Sequence, residues 1–513
     1  MTVTDSAEMI DAAPAIAPAA KAESWAARLA RFVYPVALLA SLSIWFLAIR
    51  APLWLDETLA AWQVSGGFAK VWTRSALMPS SLGYLYTLWL ARSIFGSHEI
   101  ALKLPSTLAM LGAVYFLFRS ARELYDRETA YLSSIFFALT YNVVFAATDA
   151  RPYAFALLAT NIAIFAFVRW MAQHEMRQAI LFGAAAAGIL YFHYLFGALL
   201  PVFAIYYLVA RGRFIKADLR QLAAVFTSLT VFSLPLMYRV LSLYHTRDTH
   251  VVQQFKHPLL LTLNTLAPLQ LLIGFVMVAF LAGLVRKIKL PGREDLPAVL
   301  LGPLLALVPA AVFFAVSAIL PVHLVVPRYL TVIAPGSALT WALMTRCIDS
   351  RLLRQIFCTG LVGLTVYQCF SSPTSSKHGF NFKQTHAFVN RNIGDEKVPV
   401  LECSAFIESD FETMPADPQS ENALLSQVDY YPIHAPVSML PMDLNEETAR
   451  IAGQMVLDAA QKGQRFLLVV GPTSYQTANW LANYARGTLN AHVLAEFDQE
   501  IMVVEFRPLA GSE

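Results

Sequence analysis

The decapeptide LWLDETLAAW, residues 53–62, stands three residues behind YPVALLASLSIWFLAI, residues 34–49. The longer stretch carries no charge and reads as a membrane-embedded helix. Asp56 and Glu57 therefore fall just past its end, at the depth of the lipid headgroups. Burial and mutual repulsion there are expected to raise the pKa of one of the two carboxylates. Chemistry is expected at this pair.

Composition supports the membrane reading. Of 513 residues 57% are hydrophobic and 14% charged, and mean hydropathy is +0.53. Soluble domains run to about 25% charged. The net charge is +3 with no Lys/Arg run, which argues against nucleic acid as a partner. Cys347, Cys358 and Cys369 lie in or beside apolar segments and Cys403 in a polar one, so no disulfide framework is expected. Residues 1–27, Ala-rich with Pro14 and Pro18, read as a disordered cytoplasmic tail ahead of an uncleaved signal anchor.

Apolar stretches recur near 34–49, 102–118, 129–147, 153–170, 178–192, 195–210, 221–240, 268–285, 297–320, 329–345 and 355–370. They predict a mainly α polytopic bundle of about eleven spans over 28–370. With the amino terminus inside, the inner loops 119–128, 169–177, 211–220, 286–293 and 346–354 each carry at least two Lys or Arg. The outer loops 147–152, 193–194 and 321–328 carry one or none, as the positive-inside rule requires. Everything beyond about Phe370 then lies outside, which for a bacterial inner membrane is the periplasm.

The long outer segment between Arg50 and Lys103 holds FAKVWTRSALM and SLGYLYTLWLARSIFG, apolar at helical spacing with Lys70, Arg74 and Arg92 between. These read as helices lying in the membrane surface. From Ser371 a Ser/Pro linker leads into alternating elements: KVPVLEC, RFLLVVG, HVLAEF and IMVVEF as strands, 446–462 and 475–486 as helices. A small periplasmic α/β domain over 371–513 is expected, with no motif that assigns it chemistry.

The polar residues needing explanation collect on the outer side: Asp56 and Glu57, Asp149 and Arg151, His193 and Tyr194, the loop 245–257 with His245, Arg247 and Lys256, then His323, Arg328 and Tyr329. A carboxylate base facing several cations suits transfer from a phosphate leaving group to a hydroxyl. Blander readings stand beside this one. Asp149 with Arg151 also reads as a cap and anchor ahead of Pro152, Arg328–Tyr329 as an interfacial anchor, and His193 as a satisfied histidine at a helix end.

LWLDETLAA, SLGYLYTLWLARSIFGSHEIALKLPSTLAML, DARPYAFALL, FHYLFGALL and PRYLTVIAPGSAL, taken together and in order over roughly 30–340, resemble the polytopic glycosyltransferases of the C superfamily (GT-C). Within it they are similar to the family 39-like group of protein O-mannosyltransferases, lipid A aminoarabinose transferases and rhizobial core galacturonosyltransferases. The family commonly has a Pro-Pro-Leu-Tyr run where this chain reads MPSSLGYLY.

The resemblance implies an inverting hexosyl- or pentosyltransferase that uses a polyprenyl-phosphate-linked sugar and works on the periplasmic face. Its acceptor would be a hydroxyl of a glycan, glycolipid or protein. By position, Asp56 matches the acid that takes the acceptor's proton. Glu57 matches a neighbour that holds substrate or a divalent metal, the one cofactor the resemblance leaves open. Arg151, His193 and Arg328 match positions around donor phosphate and sugar, and Tyr194, Tyr329, Arg74 and Lys256 on the same face complete the donor-binding set. The carboxy-terminal domain matches the variable domain tied to acceptor choice. A transporter or flippase of lipid-linked sugars is the rival, but transporter sites are expected near the midplane of repeated halves. Here the ionisable groups gather at one surface.

Overall fold

The computed structural model describes the chain apart from residues 1–24, 79, 211–218, 239–240, 242–256, 286, 290–295, 321–322, 372–380, 395–397, 407–408, 410–421, 443–445, 472–473, 498–500 and 510–513. The first helix, α1 (Trp25–Ala48), is followed by three short helices: α2 (Leu55–Gln63), α3 (Phe68–Leu77) and α4 (Leu82–Phe95). The bundle continues with α5 (Glu99–Leu124), α6 (Arg127–Leu139), α7 (Tyr141–Ala147), α8 (Tyr153–Gln173) and α9 (Met176–Phe192). A 3-10 turn (Tyr194–Leu199) leads into α10 (Leu200–Ala210) and α11 (Leu219–Ser233). Then come α12 (Pro258–Leu266), α13 (Leu269–Leu284), α14 (Leu296–Ile319), α15 (Ala334–Arg346) and α16 (Arg351–Ser371).

Each apolar stretch read from the sequence is mostly helical where it is described, with breaks at Thr140 and at some of the ends. Among the described residues five helices are long and apolar enough to cross a membrane, and up to seven if each bent pair counts as one span. The pairs are α6 with α7, bent by 74°, and α12 with α13, bent by 49°. The first break falls at Thr140, whose extended backbone leaves the helix while its hydroxyl donates back to the Phe136 carbonyl at 2.8 Å. Met176–Phe192 and Tyr194–Val209 are shorter apolar helices, the latter continuing out of the 3-10 turn. One buried cluster, from Tyr34 and Trp45 through Phe137, Phe167 and Phe196 to Trp341 and Phe357, joins them.

The expected interfacial helices are α3 and α4. Ser81 starts α4, accepting from the Tyr84 amide and donating to the Tyr191 carbonyl at 2.6 Å, which moors α4 to the end of α9.

The carboxy-terminal region opens with α17 (Phe382–Ile393) and holds β1 (Val400–Cys403), α18 (Ser426–Tyr430), β2 (Val437–Leu440), α19 (Glu446–Lys462), β3 (Phe466–Val470), α20 (Tyr475–Tyr484), β4 (Leu489–Phe497) and β5 (Ile501–Pro508). Its sheet has the order β2-β1-β3-β5-β4; β2, β1 and β3 are parallel, and β5 turns antiparallel against β3 and β4. Strand β2 and helices α17 and α18 were not expected. β2 is a four-residue edge strand behind Pro436, too short for its alternation to register.

The sheet region does not hang from a linker alone. Trp54, Leu55, Leu59 and Trp62 of the α2 segment share one buried cluster with Phe382, Val389, Val400, Leu467, Val469 and Val503. Tyr431 adds polar links, accepting from the Leu53 amide at 2.9 Å and donating to Glu99 at 2.8 Å. Thr58 and Ser426 hydroxyls meet at 3.1 Å.

Candidate active site around Asp56

Trp54 caps the start of α2, and the two acids of the helix do different work. Glu57, three residues on, reaches back to the Trp54 amide at 3.1 Å, one half of a capping box. Lys103 Nζ lies 3.4 Å from that same oxygen, Oε2, while Oε1 accepts from the Ala150 amide at 2.7 Å. Glu57 and Lys103 are both fully buried, and the ammonium also donates to the Ala51 carbonyl at 2.6 Å. Asp149, equally buried, accepts from the Trp54 indole at 2.9 Å. The segment before α8 is thereby strapped to the start of α2.

Asp56, on the next face of the helix, is half-buried and faces two guanidinium groups. Its Oδ2 lies 2.9 Å from Arg328 Nη1 and 3.4 Å from Arg151 Nη2, and Arg151 also donates to the Asp56 carbonyl at 3.3 Å. Burial, the largest single influence, would lower the pKa of either arginine, but Asp56 and Tyr153, joined by Asp149 at Arg151 and by Tyr329 at Arg328, together outweigh it and both are raised. Each of the two adjacent carboxylates has its own cations: Lys103 at Glu57, Arg151 and Arg328 at Asp56.

His193 ends α9 and sits in an aromatic frame, its ring 5.1 Å from Tyr153, 5.2 Å from Phe196 and 5.8 Å from Tyr329. Burial, reinforced by Arg151 and Arg328, lowers its pKa to about 3, so the imidazole is neutral at physiological pH. Its Nδ1 and the Nε of Arg151 are buried with no hydrogen-bond partner among the described residues. The Arg328 guanidinium lies 5.5 Å from the Tyr329 ring centroid.

The fold thus brings together Asp56, Arg151, His193, Arg328 and Tyr329, with Glu57 directly behind. Tyr194 opens the 3-10 turn next to His193. Arg74 belongs elsewhere: it bonds the Trp62 carbonyl and Ser65 at the opposite end of α2, because α3 folds back along that end. Lys256 lies outside the described residues, as does most of the loop before it. Sequence reading passed over Lys103, although an ionisable residue within an apolar stretch is itself a signal. Trp54 and Tyr431 gave no signal, since their roles depend on distant partners.

The residues do not favour a metal at Glu57. Amide donors and an ammonium approach its oxygens, the reverse of what a cation requires. No group of three or more His, Cys, Asp or Glu side chains suited to a metal occurs among the described residues.

A family model described as dolichyl-phosphate-mannose-protein mannosyltransferase matches residues 80–238. No curated protein matches the chain by sequence. Among solved structures, apo ArnT from Cupriavidus metallidurans superposes with a TM-score of 0.54 at 13% identity, covering 94% of this chain and 98% of that one. The same protein bound to undecaprenyl phosphate gives 0.54 at 12% identity with the same coverage. The chain has the fold of ArnT along nearly its whole length, and its likeness to the polytopic membrane glycosyltransferases of the C superfamily holds in both comparisons.

Proposed function

We propose that the protein is an inverting glycosyltransferase that moves a sugar from a polyprenyl-phosphate-linked donor to a hydroxyl of an envelope glycan, glycolipid or protein. The observation that carries this reading is a single half-buried carboxylate, Asp56, met by two guanidinium groups at the start of α2. Two cations against one anion leave a net positive site. A phosphate leaving group gains negative charge as the glycosidic bond breaks, and planar guanidinium groups bind such oxygens bidentately. Undecaprenyl phosphate bound to ArnT supports the donor class.

In this reading Arg328 and Arg151 turn from Asp56 toward the donor phosphate when it arrives, releasing the carboxylate to receive the acceptor's proton. A carboxylate is a weak base for an alcohol. The proton therefore moves late, as the acceptor oxygen bonds to the anomeric carbon and the phosphate departs from its opposite face. His193, neutral, offers its unpartnered Nδ1 to a sugar hydroxyl rather than a charge to the phosphate. Glu57 is a positioning residue that fixes the start of α2. Tyr329 and Tyr194 flank the sugar.

Residues 1–27 are proposed to lie in the cytoplasm of a bacterial cell, 28–370 to carry the transferase in the inner membrane, and 371–513 to form the periplasmic domain that bears on acceptor choice. The loop charges support this orientation. A cysteine placed at the exposed Lys462 should react with an impermeant reagent in intact spheroplasts; labelling only after lysis would reverse the topology.

The decisive assay uses the purified full chain in lipid nanodiscs with polyprenyl-phosphate sugars from envelope lipid. Asp56→Asn should lose transfer by roughly 10²- to 10⁴-fold, the range for a lost general base, with its melting profile kept. Turnover at the wild-type rate would remove Asp56 as the base.

A further inference from the structure

Helix α3 has three faces. Val71 and Ser75 are buried against the body. Phe68 and Trp72, one turn apart, are 59% and 50% exposed, and Phe68 leans on Tyr86 and Trp89 of α4 at 4.7 and 5.2 Å. The third face, Lys70, Thr73 and Arg74, lines a cleft of about 350 Å³ together with Trp62 and Asn422. Trp62 lies six residues beyond Asp56 on α2, about 9 Å along the axis, so this cleft is separate from the carboxylate cluster.

Its arginine is held in place before any ligand arrives. The Arg74 guanidinium stacks 4.3 Å above the Trp62 ring, and Nη1 donates to Ser65 at 2.7 Å and to the Trp62 carbonyl. Both bonds use the same nitrogen, and among the described residues Nε and Nη2 have no hydrogen-bond partner, which leaves their hydrogens for another acceptor. Lys70 has no carboxylate within ion-pair distance among the described residues; the acid that bears on Arg74 is Asp429, which acts at longer range. Partial burial, together with Arg92, lowers the Arg74 pKa against that pull, as for a cation short of counter-charge. Gly66 leaves room for both: a Cβ there would fall 2.5 Å from Lys70 Cδ and 3.2 Å from Arg74 Cζ.

We propose that this cleft is an anion site for a phosphoryl group, taken between Lys70 and the open edge of Arg74. The volume lies at the small end of ligand clefts, roughly 300–1,000 Å³, and suits a headgroup rather than an extended glycan. The exposed aromatic pair on the adjoining face of a surface helix is where the apolar part of an amphipathic molecule would rest, which favours a phosphate-bearing lipid over a soluble phosphate.

The site does not depend on sugar transfer at Asp56, and the test needs no turnover. Binding of dihexanoyl phosphatidate to the detergent-purified full chain is measured by calorimetry, with dihexanoyl phosphatidylcholine and inorganic phosphate as companion probes. Phosphatidate should bind saturably, at least tenfold more weakly to Lys70→Ala and several-fold more weakly to Gly66→Ala. Lys70 is exposed, so the first variant should fold normally. Lys70-dependent binding of phosphatidate alone assigns a lipid phosphate, and equal binding of inorganic phosphate assigns a soluble one. Phosphatidate binding that matches phosphatidylcholine, or ignores Lys70, overturns the proposal.

Discussion

Two clusters of carboxylates and arginines lie at opposite ends of α5, whose 26 residues span about 39 Å. At the end beyond Leu124, Glu128 receives Arg354 Nε at 2.7 Å, Arg346 Nη1 at 3.0 Å and the Tyr34 hydroxyl at 2.8 Å, with Arg351 Nε at 3.6 Å. Asp126 caps α6 through the Thr129 amide at 2.7 Å and takes Arg346 Nη2 at 2.6 Å. Burial would raise the Asp126 pKa, but that amide and Arg346 prevail and hold it below the usual carboxylate range. This cluster ties α1, α6, α15 and α16 together with its carboxylate oxygens fully used.

The cluster at the other end is built from the same residue types and is left unfinished. Asp56 has two arginines, yet Arg151 Nε and His193 Nδ1 are buried with no hydrogen-bond partner among the described residues. A buried polar group without a partner costs about 1–3 kcal/mol, so a site that keeps two of them is organised for something that supplies the bonds. Ion pairs alone therefore do not distinguish a site from a staple. Between these two clusters, unmet hydrogen-bonding capacity does.

The contrast can be broken by exchanging the losses. If it holds, Asp56→Asn removes activity and leaves the fold, whereas Glu128→Ala does the opposite. Leaving Arg354 buried without its carboxylate should cost roughly 3–5 kcal/mol by thermal unfolding, with turnover per folded molecule unchanged. A Glu128→Ala variant that is stable but inactive would erase the distinction. Arg328→Ala comes next: loss of a charged hydrogen bond of about 1.5–3 kcal/mol should raise the donor KM by roughly 10- to 150-fold, with little change in unfolding. An unchanged donor KM would count against its phosphate role.

The smallest expected effect is in pH dependence. The folded His193 pKa of about 3 lies below its ordinary value of 6.5, so between these limits the unfolded chain holds a proton that the folded chain lacks. Stability should rise with pH through that window on account of His193 and level off above it. His193→Gln should lose that component, and identical pH–stability curves for the two proteins would place His193 in a wetter setting.

The apolar stretches were legible because a membrane span is a local property of about 20 residues, and each is mostly helical here where described. The bends were not, since 129–147 reads as one run while Thr140 turns it by 74°. Among site residues, charge placement in the outer loops pointed to Asp56, Arg151, His193 and Arg328, which converge although they are up to 272 positions apart. The same reasoning drew in Arg74, because sequence records which loop a cation occupies but not which end of a neighbouring helix it reaches. It also set Glu57 beside Asp56 as a partner in chemistry. Adjacent helical residues point about 100° apart, and here that turn separates an open carboxylate from a buried one.

The buried cluster shared by α2 and the carboxy-terminal sheet bears on how such a protein could be recombined. A graft that exchanged residues 371–513 for those of a relative would cut through a hydrophobic core and leave Trp54, Leu55, Leu59 and Trp62 facing a surface shaped for other side chains. Chimeras that carry residues 53–78 along with the new sheet region keep the buried residues of that core together. The stretch bearing Asp56 and the distant end of the chain are thus one unit of inheritance, although more than 300 residues separate them in the sequence.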